Sequence, residues 1–254
     1  MIGILDIKSC TKRFGGLVAV RNLNMSLAPG SLYGLIGPNG AGKTTVFNLI
    51  TGVYTPDEGS IELAGRPIHR KKPSSISSLG MSRTFQNIRL FRSMTVLENV
   101  KLARHVRRKQ GLFDAVLRTH ALAVEEREIE HASMELLKIF HLEGRAGELA
   151  SSLPYGAQRR LEIVRALATN PKVLLLDEPA AGMNPQESFE LMHLIRSVRD
   201  RFQLTVLLVE HNMKVVMGIC EQIQVIDYGE TIALGTPREI QDDPRVIEAY
   251  LGGA

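Results

Sequence analysis

The sequence has no apolar run that approaches the roughly 18–20 residues needed to cross a bilayer. Its longest apolar stretches, Val173–Leu176 and Leu204–Val209, have the length of single strands. The N-terminus, MIGILDIK, shows no basic leader before a long apolar stretch, because Asp6 interrupts it early. We therefore expect a protein without a signal peptide that is made and kept in the cytosol.

Cysteines and aromatic residues are also scarce. Cys10 and Cys220 lie far apart in apolar contexts, so we expect two buried thiols rather than a disulfide or a metal site. No aromatic residue is interleaved with the basic clusters His69–Lys72 and Lys101–Lys109, which argues against nucleic acid as a partner. With a net charge of only +4, we interpret these clusters as solvated faces.

The chain alternates between strand and helix patterns, without internal repeats or low-complexity tracts. Continuous apolar strands alternating with helices predict an α/β fold with a parallel sheet covered on both faces. Strands are predicted at Ile4–Lys8, Leu23–Leu27, Ser31–Ile36, Ile61–Leu63, Val173–Leu176, Leu204–Val209 and Ile223–Ile226. Helices are predicted at Lys43–Gly52, Glu187–Arg201 and Asn212–Cys220. The Glu187–Arg201 helix is expected to place Phe189, Met192, Ile195 and Val198 on one apolar face.

Between about Asn87 and Ala168 the composition changes to Arg, Glu, Leu and Ala with helical spacing. We interpret this segment as a helical insertion with borders near Phe91 and Arg165. The rest of the chain would then form the core around it.

The stretch GPNGAGKTT follows a predicted strand and opens a predicted helix. It matches the pattern G-x-x-x-x-G-K-[ST] at Gly37, Gly42, Lys43 and Thr44. Glycines let successive backbone N–H groups turn toward a phosphate, and the helix N-terminus adds partial positive charge. The lysine supplies a point charge for the β- and γ-phosphates, and the Thr44 hydroxyl can ligate Mg²⁺. The predicted nucleotide-binding residues are Gly37, Pro38, Asn39, Gly40, Ala41, Gly42, Lys43, Thr44 and Thr45.

Two later strands end in polar residues that suit the same site. Asp177 ends an apolar strand, so its carboxylate is expected at the edge of the sheet where ligands bind in open α/β sheets. Adjacent Glu178 suits a general base or a residue that orients water. His211 follows the next apolar strand and would contact a γ-phosphate or position Glu178.

Three further residues are harder to interpret by themselves. Gln86, near the start of the helical insertion, has an amide that can contact Mg²⁺ and a water. Phe14, after the first strand, fits either the core or a platform that stacks on a purine. In LPYGAQ, residues 153–158, Gly156 precedes a strongly helical run, where a close approach to its backbone would explain the glycine.

These motifs, in this order and with AAGMNP at Ala180–Pro185, resemble the ATP-binding cassette (ABC) ATPase family over nearly the whole chain. The resemblance implies a P-loop NTPase (RecA-like) core with an antiparallel β subdomain and an inserted α-helical subdomain. On our borders, one domain of residues 1–254 divides into a nucleotide-binding core at 1–90 and 166–254 and a helical signature subdomain at 91–165.

The resemblance also implies a site and a mechanism. ATP and Mg²⁺ would be the cofactors, with Thr44, Gln86 and Asp177 as metal ligands. Glu178, His211 and Gln86 would be catalytic, and Phe14 and Asp177 would help to hold ATP. Two subunits, identical or different, would sandwich each ATP between the phosphate loop of one and the LPYGAQ loop of the other, where Gly156 faces the γ-phosphate.

Three residues depart from the family pattern. Pro154 replaces a Ser whose hydroxyl would bond the γ-phosphate, and Pro also lacks a backbone N–H. Ala157 replaces a Gln, and Asn184 stands where the inter-subunit loop often has Asp. We expect the loop to hold the partner's ATP with fewer donors.

A narrower resemblance is to the ATP-binding subunits of branched-chain amino acid importers (the LivG type). It is carried by the Tyr of LPYG, by AAGMNP, by the stretch Arg83–Val100 and by the tail at 242–252. It implies a second ATP-binding subunit, two transmembrane permease subunits, an indirect periplasmic solute-binding protein, and peripheral attachment at the cytoplasmic face of the inner membrane. Amide or urea import and lipopolysaccharide export remain open as alternatives.

Two other classes fit less well. A soluble ABC ATPase acting on ribosomes or DNA would show tandem cassettes or long heptad repeats, and this chain has neither. A P-loop GTPase would show an Asn-Lys-x-Asp motif, which is absent, and a kinase has no need of Gly156 at a helix start.

Overall fold

The structure, a computed structural model, describes residues 3–105 and 120–251. Contacts along the chain define two compact units: one runs up to Arg83 and resumes at Lys172, and the other is Thr84–Pro171. The borders predicted from sequence, 91 and 165, stand inside the second unit. The part of the Lys101–Lys109 cluster after His105 lies outside the described residues. None of the described helices is long and apolar enough to span a membrane.

The described residues of the first unit form ten strands. They are β1 (Leu5–Phe14), β2 (Leu17–Leu27), β3 (Leu32–Ile36), β4 (Glu58–Leu63), β5 (Arg66–Pro67), β6 (Met81–Arg83), β7 (Val173–Asp177), β8 (Thr205–Val209), β9 (Gln222–Asp227) and β10 (Glu230–Gly235). Its helices, numbered with those of the second unit, are α1 (Lys43–Ile50), α2 (Pro73–Ser78), α6 (Pro185–Phe202), α7 (Met213–Ile219), α8 (Pro237–Asp242) and α9 (Pro244–Leu251).

The larger sheet has six strands in the order β10-β9-β3-β8-β7-β6. All neighbouring pairs are parallel except β9 with β10, which is antiparallel. Strands β3, β7 and β8 are buried along their whole length, which explains their continuous apolar sequences. Val209 of β8 pairs with Leu35 of β3 on one side and with Asp177 of β7 on the other. The three strands therefore end at the same edge of the sheet.

The smaller sheet is antiparallel, in the order β2-β1-β4-β5. Its inner side chains join those of the larger sheet and of α1 in one core, in which Leu5, Phe47, Ile61 and Leu207 are fully buried. The implied P-loop core with an antiparallel β subdomain is therefore confirmed. Strands β5, β6 and β10 and helices α2, α8 and α9 were not predicted.

The second unit is helical, as expected. It contains α3 (Val96–Arg104), α4 (His120–Ile139) and α5 (Tyr155–Ala168), with short 3₁₀ turns at Glu143–Arg145 and Ala150–Ser152. Thr95 caps α3 through a capping box with Glu98. Phe140 and Leu161 are fully buried, so this unit has a core of its own.

Two details of the side chains bear on the predictions. Met192, Ile195 and Val198 of α6 are buried as expected, but the placement of Phe189 on that buried face is wrong, since it is 61% exposed. The Phe189 ring instead lies edge-on to His193. Cys10 and Cys220 are free and buried, and burial raises their pKa values to about 11 and about 12.

Candidate functional site

The phosphate loop connects β3 to α1 in the first unit. Gly42 caps α1 with a φ of 102°, a conformation that L side chains rarely adopt, and a Cβ there would lie 2.5 Å from the Ala19 carbonyl oxygen. A Cβ on Gly37 would lie only 2.0 Å from the carbonyl oxygen of Ile226. Because neither position has room for a side chain, both glycines of the motif are required by the backbone itself.

Lys43, the first residue of α1, is 7% exposed. Its ammonium group donates to the carbonyl oxygens of Gly37 (2.7 Å) and Pro38 (2.8 Å), so the side chain folds back along the loop. Burial lowers the Lys43 pKa, and the nearby charges of Glu178 and Asp177 oppose that shift. A compact cation is thus held within reach of two carboxylates at the start of a helix. Thr44, the next residue, is exposed, and Thr45 is half-buried.

Asp177, the last residue of β7, is 7% exposed. One carboxylate oxygen accepts a hydrogen bond from Arg83 at 2.8 Å. Arg83 ends β6, donates also to the Asn48 side chain at 2.7 Å, and lies over the Phe47 ring. The carboxylate is therefore oriented by a buried cation that sequence reasoning missed.

Glu178 follows β7 directly and is 9% exposed. Its φ of 48° is in the left-handed region, which non-glycine residues adopt mainly where surrounding structure holds them in place. Here the Glu178 N–H donates to the Val209 carbonyl oxygen at 2.9 Å. Its carboxylate meets Nε2 of His211, whose side chain is 48% exposed. The structure therefore brings the Glu178 carboxylate and the His211 imidazole together.

Glu210 stands between β8 and His211 and is 4% exposed. It accepts hydrogen bonds from the backbone N–H groups of Ala180 and His211. Glu210 was not predicted to belong to the site, because in the sequence LLVEHN it stands beside His211, whose residue type is the stronger signal.

Phe14 is 42% exposed, so it does not belong to the core. Its ring stands edge-on to Tyr54 at 5.1 Å, and the Lys12 ammonium lies 5.5 Å from the ring centroid. At the far end of the chain, the Tyr250 hydroxyl in α9 is within hydrogen-bonding reach of the Gly37 backbone. Tyr250 was not predicted to be near the loop.

Gln86 belongs to the second unit, where its backbone is held by α5. The Arg159 guanidinium, 3% exposed, donates to the carbonyl oxygens of Phe85 (3.0 Å) and Gln86 (2.5 Å). Glu162, one turn further along α5, accepts from the N–H groups of Phe85 and Arg89. Two buried charges of α5 therefore fix the loop that carries Gln86.

Gly156 is the second residue of α5 and is half-buried. Pro154 occupies the N-cap position and provides no side-chain hydrogen bond to the helix. Ala157 is 4% exposed, in the core of the unit. The LPYGAQ stretch and the Gln86 loop are thus joined through one helix, because Arg159 and Glu162 lie only three and six residues beyond Gly156.

We predict that Arg159→Met lowers the free energy of unfolding by about 3 kcal/mol, since it removes a cation beside the buried Glu162 carboxylate and the guanidinium donor to the Phe85 and Gln86 carbonyl groups. Urea unfolding measures the change, and hydrogen exchange at the Phe85 and Arg89 amides should become faster. Arg127→Met, at an exposed position on α4, is the matched control, with an expected change below about 0.5 kcal/mol. Equal effects of the two variants would contradict the role given to Arg159.

Two family models match the sequence. One, described as ABC transporter, matches residues 20–181. The chain belongs to the ABC transporter family. A second model, described as branched-chain amino acid ATP-binding cassette transporter, matches residues 230–254 of this ABC cassette. Membership confirms the resemblance seen in the motifs and, with it, the predicted ATPase class.

Curated relatives of the cassette match over nearly its full length. The high-affinity branched-chain amino acid transport ATP-binding protein LivG of Escherichia coli K12 is 48% identical, over 99% of this chain and 98% of the relative. The lipopolysaccharide export system ATP-binding protein LptB of Acidithiobacillus ferridurans is 37% identical, over 99% of this chain and 98% of the relative.

Solved structures agree on the fold. The ADP conformation of an ATP-binding cassette of an ABC transporter superposes with a TM-score of 0.85 at 30% identity, covering 99% of this chain and all of the other. A dimeric structure of a bacterial ABC transporter cassette superposes with a TM-score of 0.78 at 25% identity, covering 92% of this chain and 99% of the other.

One departure of this ABC cassette from the family pattern has a structural account. Asn184 caps α6: its side chain accepts from the Glu187 N–H at 2.9 Å, and the Glu187 side chain accepts from the Asn184 N–H at 3.0 Å. Asn and Asp are about equally good helix N-caps, so the helix start is preserved without a negative charge.

Proposed function

We propose that this cassette is the ATP-hydrolysing subunit of an importer for branched-chain amino acids (leucine, isoleucine and valine). The observation that carries the ATPase assignment is the row of three strand ends. There β3, β7 and β8 bring Lys43, Asp177, Glu178 and His211 to one edge of the sheet. The substrate assignment is supported by the 48% identity to LivG, against 37% to the lipopolysaccharide-export relative, and by the match of residues 230–254.

ATP would bind with its phosphates in the loop Gly37–Thr45. In that state the Lys43 ammonium exchanges its two carbonyl partners for phosphate oxygens, which are stronger acceptors because they are charged. The N-terminus of α1 adds partial positive charge at the same place. The exposed face of the Phe14 ring provides a platform for the purine.

Mg²⁺ fits the oxygen donors available. Mg²⁺ in nucleotide sites is usually bound by one or two carboxylates together with substrate phosphates and waters. The ion would be held by Asp177 and Thr44, and the family resemblance adds Gln86 as a third ligand. When bound, Mg²⁺ neutralises charge that develops on the β- and γ-phosphates. Arg83 restrains the Asp177 carboxylate in advance of binding.

Glu178 would act as the general base. Its carboxylate orients a water in line with the γ-phosphate and takes a proton from it as the water oxygen bonds to phosphorus and ADP departs. The Glu178 backbone is held at the end of β7 by its hydrogen bond to the Val209 carbonyl oxygen, which would keep the carboxylate at that edge of the sheet. His211 is in contact with that carboxylate. It would hold the carboxylate in place and present its ring to the γ-phosphate.

The proposed partners are supported by family membership and by the LPYGAQ loop. Two cassettes would close on ATP, with Gly156 and the N-terminus of α5 facing the partner's γ-phosphate. Pro154 offers no hydroxyl there, so the backbone and the helix would carry the contact. Two permease subunits would bind the cassettes at the cytoplasmic face of the inner membrane, and a periplasmic binding protein would deliver the solute.

The test is uptake of labelled leucine, isoleucine and valine by cells that lack this gene. We expect uptake to be lost and to be restored by the wild-type gene but not by one encoding Lys43→Met. Urea uptake and lipopolysaccharide export, measured in the same strains, test the alternatives. Intact amino acid uptake with a defect in either of those would overturn the substrate assignment.

A further inference from the structure

The Glu210 carboxylate joins two loops of the site. It follows β8, and its Oε1 accepts the Ala180 N–H at 2.8 Å while its Oε2 accepts the His211 N–H at 3.3 Å. Ala180 lies two residues after Glu178, in the loop between β7 and α6. The same side chain is therefore bonded to the loop that carries Glu178 and to the loop that carries His211.

The chemistry of the two bonds needs a carboxylate. Both partners are backbone N–H donors, so the side chain must present two acceptor oxygens. A Gln at this position offers one acceptor oxygen. Its NH₂ group would face the other backbone N–H, and two donors form no hydrogen bond. A Met of similar length offers no comparable acceptor, because a thioether sulfur accepts only weakly.

Stability alone does not explain a carboxylate here. Burial raises the Glu210 pKa above its ordinary value of 4.5, and the charge of Glu178 raises it further, while the two N–H groups and His211 act in the opposite direction. The folded state therefore binds the proton more tightly than the unfolded chain. Ionisation of Glu210 lowers the stability of the fold as the pH rises from about 4.5 through the raised pKa, and the loss is complete above it.

We propose that Glu210 is a positioning residue for ATP hydrolysis. Its two hydrogen bonds set the distance between the Glu178 loop and the His211 loop, so that the base and the imidazole stay in contact when ATP binds. The side chain touches neither reacting group directly, since both of its bonds go to backbone. This inference rests on the proposed function, because it assigns Glu210 to the reaction carried out by Glu178.

The test compares Glu210→Gln and Glu210→Met in the full chain with the second ATP-binding subunit present. We expect kcat for ATP to fall about tenfold in the Gln variant and about a hundredfold in the Met variant, roughly one factor of ten for each hydrogen bond removed. KM for ATP should change by less than about twofold, because the phosphate loop is not altered. The melting temperature at pH values above the raised Glu210 pKa should not fall in Glu210→Gln, since a buried charge is removed.

Amide hydrogen exchange gives a readout that does not depend on activity. The Ala180 and His211 amides should exchange faster in Glu210→Met and at the wild-type rate in Glu239→Gln. Glu239 is the matched control because it also accepts a backbone N–H, that of Thr236, but in the capping box of α8.

Wild-type kcat in both Glu210 variants, or a kcat loss that only follows a loss of thermal stability, would overturn the inference. Unchanged exchange at both amides in Glu210→Met would do so as well. Failure of the wild-type protein to hydrolyse ATP would instead overturn the proposed function. The Glu178→Gln variant in the same assay separates the two cases, because it should be inactive whether or not Glu210 has this role.

Discussion

Replacing Glu178 with Gln is expected to lower the rate of ATP hydrolysis by about a thousandfold, within the range that general-base catalysis contributes. The amide keeps the volume and one acceptor oxygen of the carboxylate but takes no proton from water. Binding of MgATP should be preserved, because Lys43 and the phosphate loop are unchanged. Steady-state hydrolysis and equilibrium binding of ATP, measured on one preparation, separate the two effects.

The control for this prediction is Glu190→Gln. Glu190 is exposed on α6 and hydrogen-bonds Gln186, so it has the same chemistry at a position remote from the strand ends. It should retain wild-type kcat. A Glu178→Gln variant that keeps more than about a tenth of the rate would mean that another group accepts the proton.

The Lys43→Met variant should weaken binding of ATP by about a hundredfold or more. Two charge-assisted hydrogen bonds to phosphate are lost, each worth roughly 1.5–3 kcal/mol. The free energy of unfolding of the nucleotide-free protein should not fall in this variant. Burial lowers the Lys43 pKa, so the charged form opposes folding at every pH below that pKa, and Met removes this opposition.

Titration calorimetry with ATP and thermal unfolding without it measure the two effects. Lys8→Met is the matched control: Lys8 is an exposed lysine that pairs with Glu62 on the antiparallel sheet. Unchanged affinity in Lys43→Met, or a loss of stability that accounts for the weaker binding, would contradict the role of Lys43.

Local patterns predicted most of the strand-end site. The glycine spacing of Gly37–Thr45 and the apolar runs before Asp177 and His211 are readable in the sequence, because each depends on a few consecutive residues. Parallel pairing then brings the ends of β3, β7 and β8 together, as the alternation of strands and helices indicated.

The side chains that contact those residues could not be predicted from the sequence. Arg83 ends a strand of three residues, too short to show a period, and meets Asp177 across 94 positions of sequence. Arg159 looks like one of several arginines in a helix, although it is buried against the Gln86 loop. Such buried charges are set by tertiary pairing, which single-sequence patterns do not encode. The exposure of Phe189 has the same origin, since helical spacing gives a face but not what covers it.

The central claim, that two cassettes close on ATP through Gly156, is tested most directly by size-exclusion chromatography of Glu178→Gln with MgATP. The chain is run alone and mixed with the second ATP-binding subunit, and Gly156→Asp in the same background is the control. We predict an ATP-dependent shift to the mass of a dimer in at least one run, and its loss in the Gly156→Asp control. A shift of the chain alone indicates a homodimer, and a shift only in the mixture indicates an obligate heteropair. ATP binding without a shift in either run would contradict the account.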